Sequence, residues 1–439
     1  YIAAPSCALK QSQLDNITAS GPPLEILINS LEKLRDRRAA ADRKDIPSRH
    51  DDIKTLKKKL KDKESSSNTL KDDFILTEAN YLLSHSVGRP LKETEKFFNN
   101  QFFMTWSNSL SEPWNDWLQS IEDFTSELSK LFNAKSTEFC PQVNLSSGLS
   151  KIILSLPDTQ KSTRTVLMSE IDFPGMGFTL KKSLSESSEV RFIPSNEDVT
   201  DLEVWKRYLT NEIDIVFISH AYSNTGQISP ISDVINYSKS KNIISILDIA
   251  QSAGIVPIDL NILQPDFMIG SCVKWLCGGP GAAFLWVNSN RLPFCNPRDV
   301  GWFSHENPFE FDIHDFRYTD TALRFWGGTP SIAPYIIATN SIKYFNQLGI
   351  IKVREHNQKL IKVVEESFDD EFVSPRNEAK RGGTMILNFK NYQEKILKSL
   401  SNHKISVDLR SQGIRVSPHI YSDEDDMHQL IDVIKSTKF

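Results

Sequence analysis

Residues 243–287, IISILDIAQSAGIVPIDLNILQPDFMIGSCVKWLCGGPGAAFLWV, constrain this chain more than any other stretch. Ile243 to Leu247 is an apolar, β-branched run that suits a strand buried on both faces, and it ends in Asp248. A second short run, Phe267 to Gly270, leads into Ser271 and Lys274. A third, Ala282 to Val287, follows the flexible Gly278-Gly279-Pro280-Gly281. Uniformly apolar strands belong to parallel sheets covered on both faces, and such sheets bind ligands beyond the strands' carboxyl ends. An acid closing one strand and a lysine just past the next suggest a specific chemistry. A desolvated lysine is a nucleophile, and a buried carboxylate can hold a ring nitrogen protonated. On composition alone, the plainer reading is a strand-end acid and a surface lysine that never meet.

A chain of 439 residues can bury a large core and suggests two or three domains. Hydrophobic residues at 39% and charged residues at 24% describe an ordinary folded enzyme. A net charge of −5 gives no reason to expect nucleic acid, and no apolar run approaches the roughly 20 residues of a membrane span. The five cysteines, Cys7, Cys140, Cys272, Cys277 and Cys295, follow no disulfide or zinc pattern, so no metal site is expected and a cytoplasmic setting is. Residues 1–73 stand apart: Leu24, Ile26, Leu27, Leu31 and Leu34 have helical spacing, and a stretch dense in mixed charge follows. This reads as a charged helical N-terminal extension. A large domain is expected over 74–335 and a smaller C-terminal one over 336–439.

Two motifs turn the central pattern into a family resemblance. Asp248-Ile249-Ala250-Gln251-Ser252-Ala253-Gly254 and Ser271-Cys272-Val273-Lys274, with acid and lysine 26 residues apart (274 − 248), resemble the cofactor-lysine segment of class V aminotransferases, a group of pyridoxal 5'-phosphate (PLP) enzymes. The nearest pattern is that of the kynureninase subgroup. The resemblance implies an α/β fold of PLP-dependent transferase type I, with a large doubly wound, mostly parallel sheet domain and a smaller C-terminal α/β domain. It also implies that Lys274 forms a Schiff base with PLP while Asp248 keeps the pyridine nitrogen cationic.

Other stretches fall into place on the same resemblance. Asn144-Leu145-Ser146-Ser147-Gly148 opens a helical run, a natural anion site, and there the family holds the PLP phosphate, so Ser146 and Ser147 inherit that role. Phe173 matches a ring that stacks on the pyridine, and Ser219 a serine at the cofactor. Gln251 stands where kynureninases have His and cysteine desulfurases have Gln; its amide can donate to the phenolic oxygen of the ring. Gly301-Trp302-Phe303-Ser304-His305 repeats an element that borders the kynureninase site, which brings in Trp302 and His305.

Gly327-Gly328-Thr329-Pro330 resembles instead the Gly-Thr-Pro of desulfurases and class V aminotransferases. There the Thr reaches a phosphate bound by the neighbouring subunit, which implies a homodimer with shared active sites. Gly413-Ile414-Arg415-Val416 matches the segment whose arginine clamps the substrate α-carboxylate. Ser84-His85-Ser86 is either a substrate contact or a turn with satisfied side chains.

The expected activity is PLP chemistry on a small amino acid, as an aminotransferase or lyase. The Asn that recognises the kynurenine ketone is missing before Pro330, and no cysteine follows Cys295 to serve as a desulfurase nucleophile. A kynureninase-type hydrolase with a rebuilt pocket is the second reading, and a PLP-binding scaffold without turnover the third.

Overall fold

The structure, a computed structural model, describes residues 70–157 and 163–438. The expected helix around Leu24–Leu34 and the charged stretch after it lie outside the described residues. In chain order the strands are β1 (Asn80–Tyr81), β2 (Phe139–Gln142), β3 (Thr165–Ser169), β4 (Glu189–Ile193), β5 (Ile215–Ser219) and β6 (Ile244–Asp248). They continue with β7 (Phe267–Ser271), β8 (Ala283–Val287), β9 (Met385–Leu387), β10 (Ile405–Ser406), β11 (Asp408–Arg410) and β12 (Gly413–Val416).

Seven of them form one sheet in the order β2-β8-β7-β6-β5-β3-β4. Strands β4, β3, β5, β6 and β7 run parallel, and β8 is antiparallel to both β7 and β2. The interior strands are buried on both sides, as their apolar runs require. Alternation then splits their residues between two cores. Val166, Met168, Ile215, Phe217, Ile246 and Ile269 pack to one side, with Leu149, Ile152 and Ile153 of the helix Leu145–Ser155 and Met176 and Leu180 of the helix Pro174–Ser183. Leu167, Val216, Ile218, Leu247 and Met268 pack to the other, under the helices Trp114–Phe132 and Ala333–Leu348.

The two outermost strands carry no apolar run and escape a sequence reading. β2 contains Pro141, tolerated because the strand lies at the sheet edge, where a missing N–H costs no ladder bond. β4, on the other edge, is only partly buried.

From β3 the chain goes outward to β4, then returns to β5 and continues through β6 and β7 in the opposite direction. Strand order therefore reverses between β3 and β5, the topological switch point where open α/β sheets bind ligands. The carboxyl ends there are Ser169, Ser219, Asp248 and Ser271.

A second, three-stranded antiparallel sheet, β11-β12-β9, packs with the helices Ile350–Glu365, Gln393–Asn402 and Glu424–Lys438 around Leu360, Met385, Ile396, Ile414 and Leu430. Leu82 belongs to this core, because β1 pairs in parallel with β10 and Leu83 bridges to Ser417. No helix among the described residues is long and apolar enough to cross a membrane.

A few residues after β1 the same N-terminal segment reaches the large sheet: the Gly88 N–H donates to the Val273 carbonyl at 2.9 Å. A Cβ on Gly88 would lie 2.1 Å from the Lys274 carbonyl oxygen and 2.6 Å from Cys277 Sγ. Gly88→Ala is expected to lower stability by ~1–3 kcal/mol, the usual range for overpacking. Urea unfolding checks this, and an unchanged midpoint would mean the turn does not press on the lysine loop.

Candidate functional site

Parallel register sets Ser219 and Asp248 side by side, with Ile269 on the next strand beyond Asp248. Alternation puts both polar residues on the sheet face covered by the helix that begins at Leu145. Asp248 is 6% exposed and its Oδ1 accepts the Ala250 N–H at 2.7 Å. Burial lifts its carboxyl to about 6 against the pull of that N–H and of the Lys274 charge. Lys274 is half-buried in the turn after β7. Burial lowers the pKa of its amine, Asp248 opposes the shift, and the Arg415 charge adds to it. No ion pair among the described residues involves either Asp248 or Lys274.

The loop carrying Lys274 is fixed through its own carbonyls. Val273 accepts from Gly88 N–H, Trp275 from His419 Nε2 at 2.9 Å, and Leu276 from the Ser341 hydroxyl. Cys272 N–H donates to Ala282 at 3.0 Å, and Gly278 N–H to Cys272 at 2.7 Å. Cys272 and Cys277 are buried thiols pushed up by desolvation, which makes them packing groups rather than nucleophiles.

Gln251 donates from Nε2 to the His85 carbonyl at 3.0 Å and accepts the Trp275 indole N–H at 3.2 Å. Its amide thus ties the 84–88 turn to the lysine loop. His85 also has both ring nitrogens engaged, Nδ1 with the Ser417 hydroxyl at 2.6 Å and Nε2 with Asp408 Oδ1 at 3.0 Å. Arg415 stands directly opposite Asp408 on the neighbouring strand. Lys274, Asp248, Gln251, His85, Ser219 and Arg415 therefore meet where the large sheet's edge faces the small sheet.

Ser146 and Ser147 open the helix Leu145–Ser155 on the same face, with Asn144 Oδ1 accepting the Ser147 N–H at 2.8 Å. One turn on, Lys151 Nζ donates to the carbonyls of Phe325 at 2.9 Å and Trp326 at 2.7 Å, which ties the segment before Thr329 to that helix. Thr329 is exposed, and so is the ring of Phe173 at the start of the helix Pro174–Ser183. Trp302 sits in an aromatic cluster with Trp114, Phe303, Phe309 and Phe311. His305 staples its own loop: Nδ1 accepts the Asn307 N–H at 3.0 Å and Nε2 donates to the Asp315 carbonyl at 3.1 Å. The structure gives none of Phe173, Trp302, His305 or Thr329 a hydrogen bond or charge contact to Lys274.

Sequence reasoning missed two acids and the tethering Lys151. Asp172 follows β3 at the switch point, and its Oδ2 accepts the Ser169 N–H at 2.7 Å. Burial lifts its carboxyl to about 7 against the Ser219 hydroxyl and that amide, and the Asp248 charge adds to the rise. An acid just past a strand's end is the same signal that marked Asp248. Asp408 gave no such signal, since only strand register pairs it with Arg415.

Comparisons with known proteins give the family and the fold. Residues 87–431 match the family model "Aminotransferase class-V", and the chain belongs to that family. Residues 1–60 match a second model, "Monodechloroaminopyrrolnitrin synthase PrnB". An uncharacterized aminotransferase of Bacillus subtilis (strain 168) is 25% identical over 324 residues, covering 73% of this chain and 85% of the relative. A kynureninase of Pseudomonas fluorescens is 26% identical over 294 residues, covering 63% of this chain and 69% of the relative. The fold is also that of a solved structure of a C-DES mutant with glycine covalently linked to its PLP cofactor. The TM-score is 0.75 at 17% identity, over 82% of this chain and 97% of that one.

The raised acids make a checkable statement about the cofactor-free protein. An acid whose folded-state pKa is raised binds its proton more tightly folded than unfolded. It therefore destabilises the fold as pH climbs from about 4, its unfolded value, and fully so above about 6 for Asp248 and about 7 for Asp172. Asp248→Asn should stabilise the cofactor-free protein by ~2–3 kcal/mol at pH 8 and by almost nothing at pH 4. Thermal melts at the two pH values measure this, and equal effects at both would mean the carboxylate is solvated.

Proposed function

We propose that the chain is a PLP-dependent enzyme that acts on an amino acid, as an aminotransferase or lyase of the class V group. The observation that carries the reading is the nearness of half-buried Lys274 to buried Asp248 at the switch point, with neither ion-paired among the described residues. A buried carboxylate without a partner in an ion pair suits a cationic ring nitrogen, and an amine whose pKa is lowered by desolvation suits attack on an aldehyde. The residues present fit the cofactor in its other parts as well. Ser146 and Ser147 offer a helix N-terminus and hydroxyls to its phosphate, and the exposed Phe173 ring offers a face to its pyridine.

Bound PLP supplies an electron sink for negative charge at the substrate α-carbon. The chain's own residues do the rest. Lys274 would hold the cofactor through its amine and would be the group placed to carry the substrate's α-proton. Asp248 would favour positive charge on the cofactor's ring nitrogen, and Arg415 would bind the substrate carboxylate. A homodimer is part of this proposal. It is supported by the exposed Phe309, Phe311, Ile313 and Phe316, apolar surface that a second subunit would cover. The proposal keeps a large domain over 74–335 and a small one over 336–439, with the helix Ile350–Glu365 joining their cores through Val353 on one side and Leu360 and Ile361 on the other.

A kynureninase-type hydrolase is the second reading, supported by the Pseudomonas fluorescens relative. Supplying PLP and twenty amino acids plus kynurenine, and assaying keto acid, ammonia, pyruvate and anthranilate, separates the two. Anthranilate from kynurenine would replace the first reading with the second. Lys274→Ala is expected to abolish the near-visible absorbance of the lysine-bound cofactor and to lower turnover by ~1000-fold. Persistence of both the band and the activity would end the proposal.

A further inference from the structure

Arg415 does not meet the site with a free fork. Its Nε donates to Asp408 Oδ1 at 2.8 Å and its Nη2 to Asp408 Oδ2, a side-on bidentate pair between directly opposed residues of β12 and β11. Its Nη1 donates to the Ser223 carbonyl at 3.0 Å, on the loop that follows β5. A guanidinium has five N–H donors. Three are spent, which leaves one on each terminal nitrogen.

Asp408 is itself held from several directions. Its Oδ1 also takes His85 Nε2 at 3.0 Å, and Arg410 Nε lies 3.3 Å from Oδ2. Behind His85 the chain of bonds continues from Nδ1 to the Ser417 hydroxyl at 2.6 Å, and from there to the Thr384 hydroxyl at 2.8 Å. Burial raises the Asp408 pKa, but the hydrogen bonds from His85 and Arg415 outweigh it and hold the carboxyl well below the usual range. A carboxylate gripped in this way is a fixed part of the site and not a mobile plug.

We infer that Asp408 is a positioning residue: it locks the side-on edge of Arg415 so that only the two remaining terminal N–H groups address the substrate's carboxylate. The pair itself carries no net charge, though Arg410 leaves the cluster one positive charge, so the direction of two hydrogen bonds adds to that attraction in recognising a carboxylate. His85 acts through Asp408 and does not touch the substrate. Selection of amino acids over the corresponding amines then depends on Asp408 as well as on Arg415. The inference rests on the PLP reading above, since it needs a substrate delivered to Lys274.

The test uses PLP-loaded full-length protein and follows the cofactor's absorbance on titration, a binding signal that does not require turnover. The probes are the amino acid that shifts the band most among the twenty and the amine that lacks its carboxylate. Asp408→Ala is expected to weaken amino-acid binding at least tenfold and leave amine binding unchanged. Asp408→Asn, which keeps shape and one acceptor, should fall between Ala and wild type. Retention of the lysine-bound cofactor band shows that each variant is folded, and Asp408→Asn carries the test if the Ala variant is not.

An unchanged preference for amino acid over amine would overturn the inference, because Asp408 would then only support the fold. Tighter amino-acid binding in Asp408→Ala would also overturn it, because Asp408 would be a competitor for the fork. A wild-type protein that forms no cofactor band, or whose band shifts with no amino acid, would overturn the PLP reading itself and the inference with it.

Discussion

A buried carboxylate and a half-buried amine, neither ion-paired among the described residues, feel one another's charge at the carboxyl edge of a parallel sheet. Desolvation disfavours charge on each: it raises Asp248 to about 6 and lowers Lys274. Their attraction offsets this only in part. Such a pair is poor at holding a fold together, since a well-packed apolar pair would be at least as stable. Its persistence at the switch point of the sheet is intelligible as preparation for a ligand that brings a cation to one end and an electrophile to the other.

The surrounding structure absorbs that cost by fixing the backbone on which the two groups sit. The lysine turn has the carbonyls of Val273, Trp275 and Leu276 satisfied by Gly88, His419 and Ser341, residues distant in sequence. Each bond removes a buried unpaired carbonyl and, at the same time, a direction in which the turn could move. His419 serves as a neutral donor and acceptor, its pKa held near 4 chiefly by burial. The lysine is therefore presented from a frame rather than from a flexible loop.

The turn at 84–88 joins the two sheets. It leaves β1, which pairs with the small sheet's side of the molecule, and within a few residues its Gly88 lies against the lysine loop. His85 and Gln251 are the rivets of this junction. Sequence reading offered two roles for His85, and with both ring nitrogens bonded the satisfied turn is the one the geometry favours. Gln251 uses its Oε1 and one of its two amide N–H groups on Trp275 and His85.

The interior strands, Asp248 at the end of one and Lys274 just past the next were legible in the sequence, because uninterrupted apolar runs permit little besides strands buried on both faces. The edges were not: Pro141 breaks the pattern of β2, and β4 is half-solvated, so neither carries a periodic signal. Asp172 repeated the strand-end signature and could have been read; Asp408 could not. The sequence by itself determined which residues close the strands and in what order, because alternation and chain direction are local properties. The tertiary structure alone decided that Asp408 meets Arg415 and His85, and that Gly88 presses on Lys274. Those meetings depend on strand register and on the docking of one sheet against another, which no local period encodes.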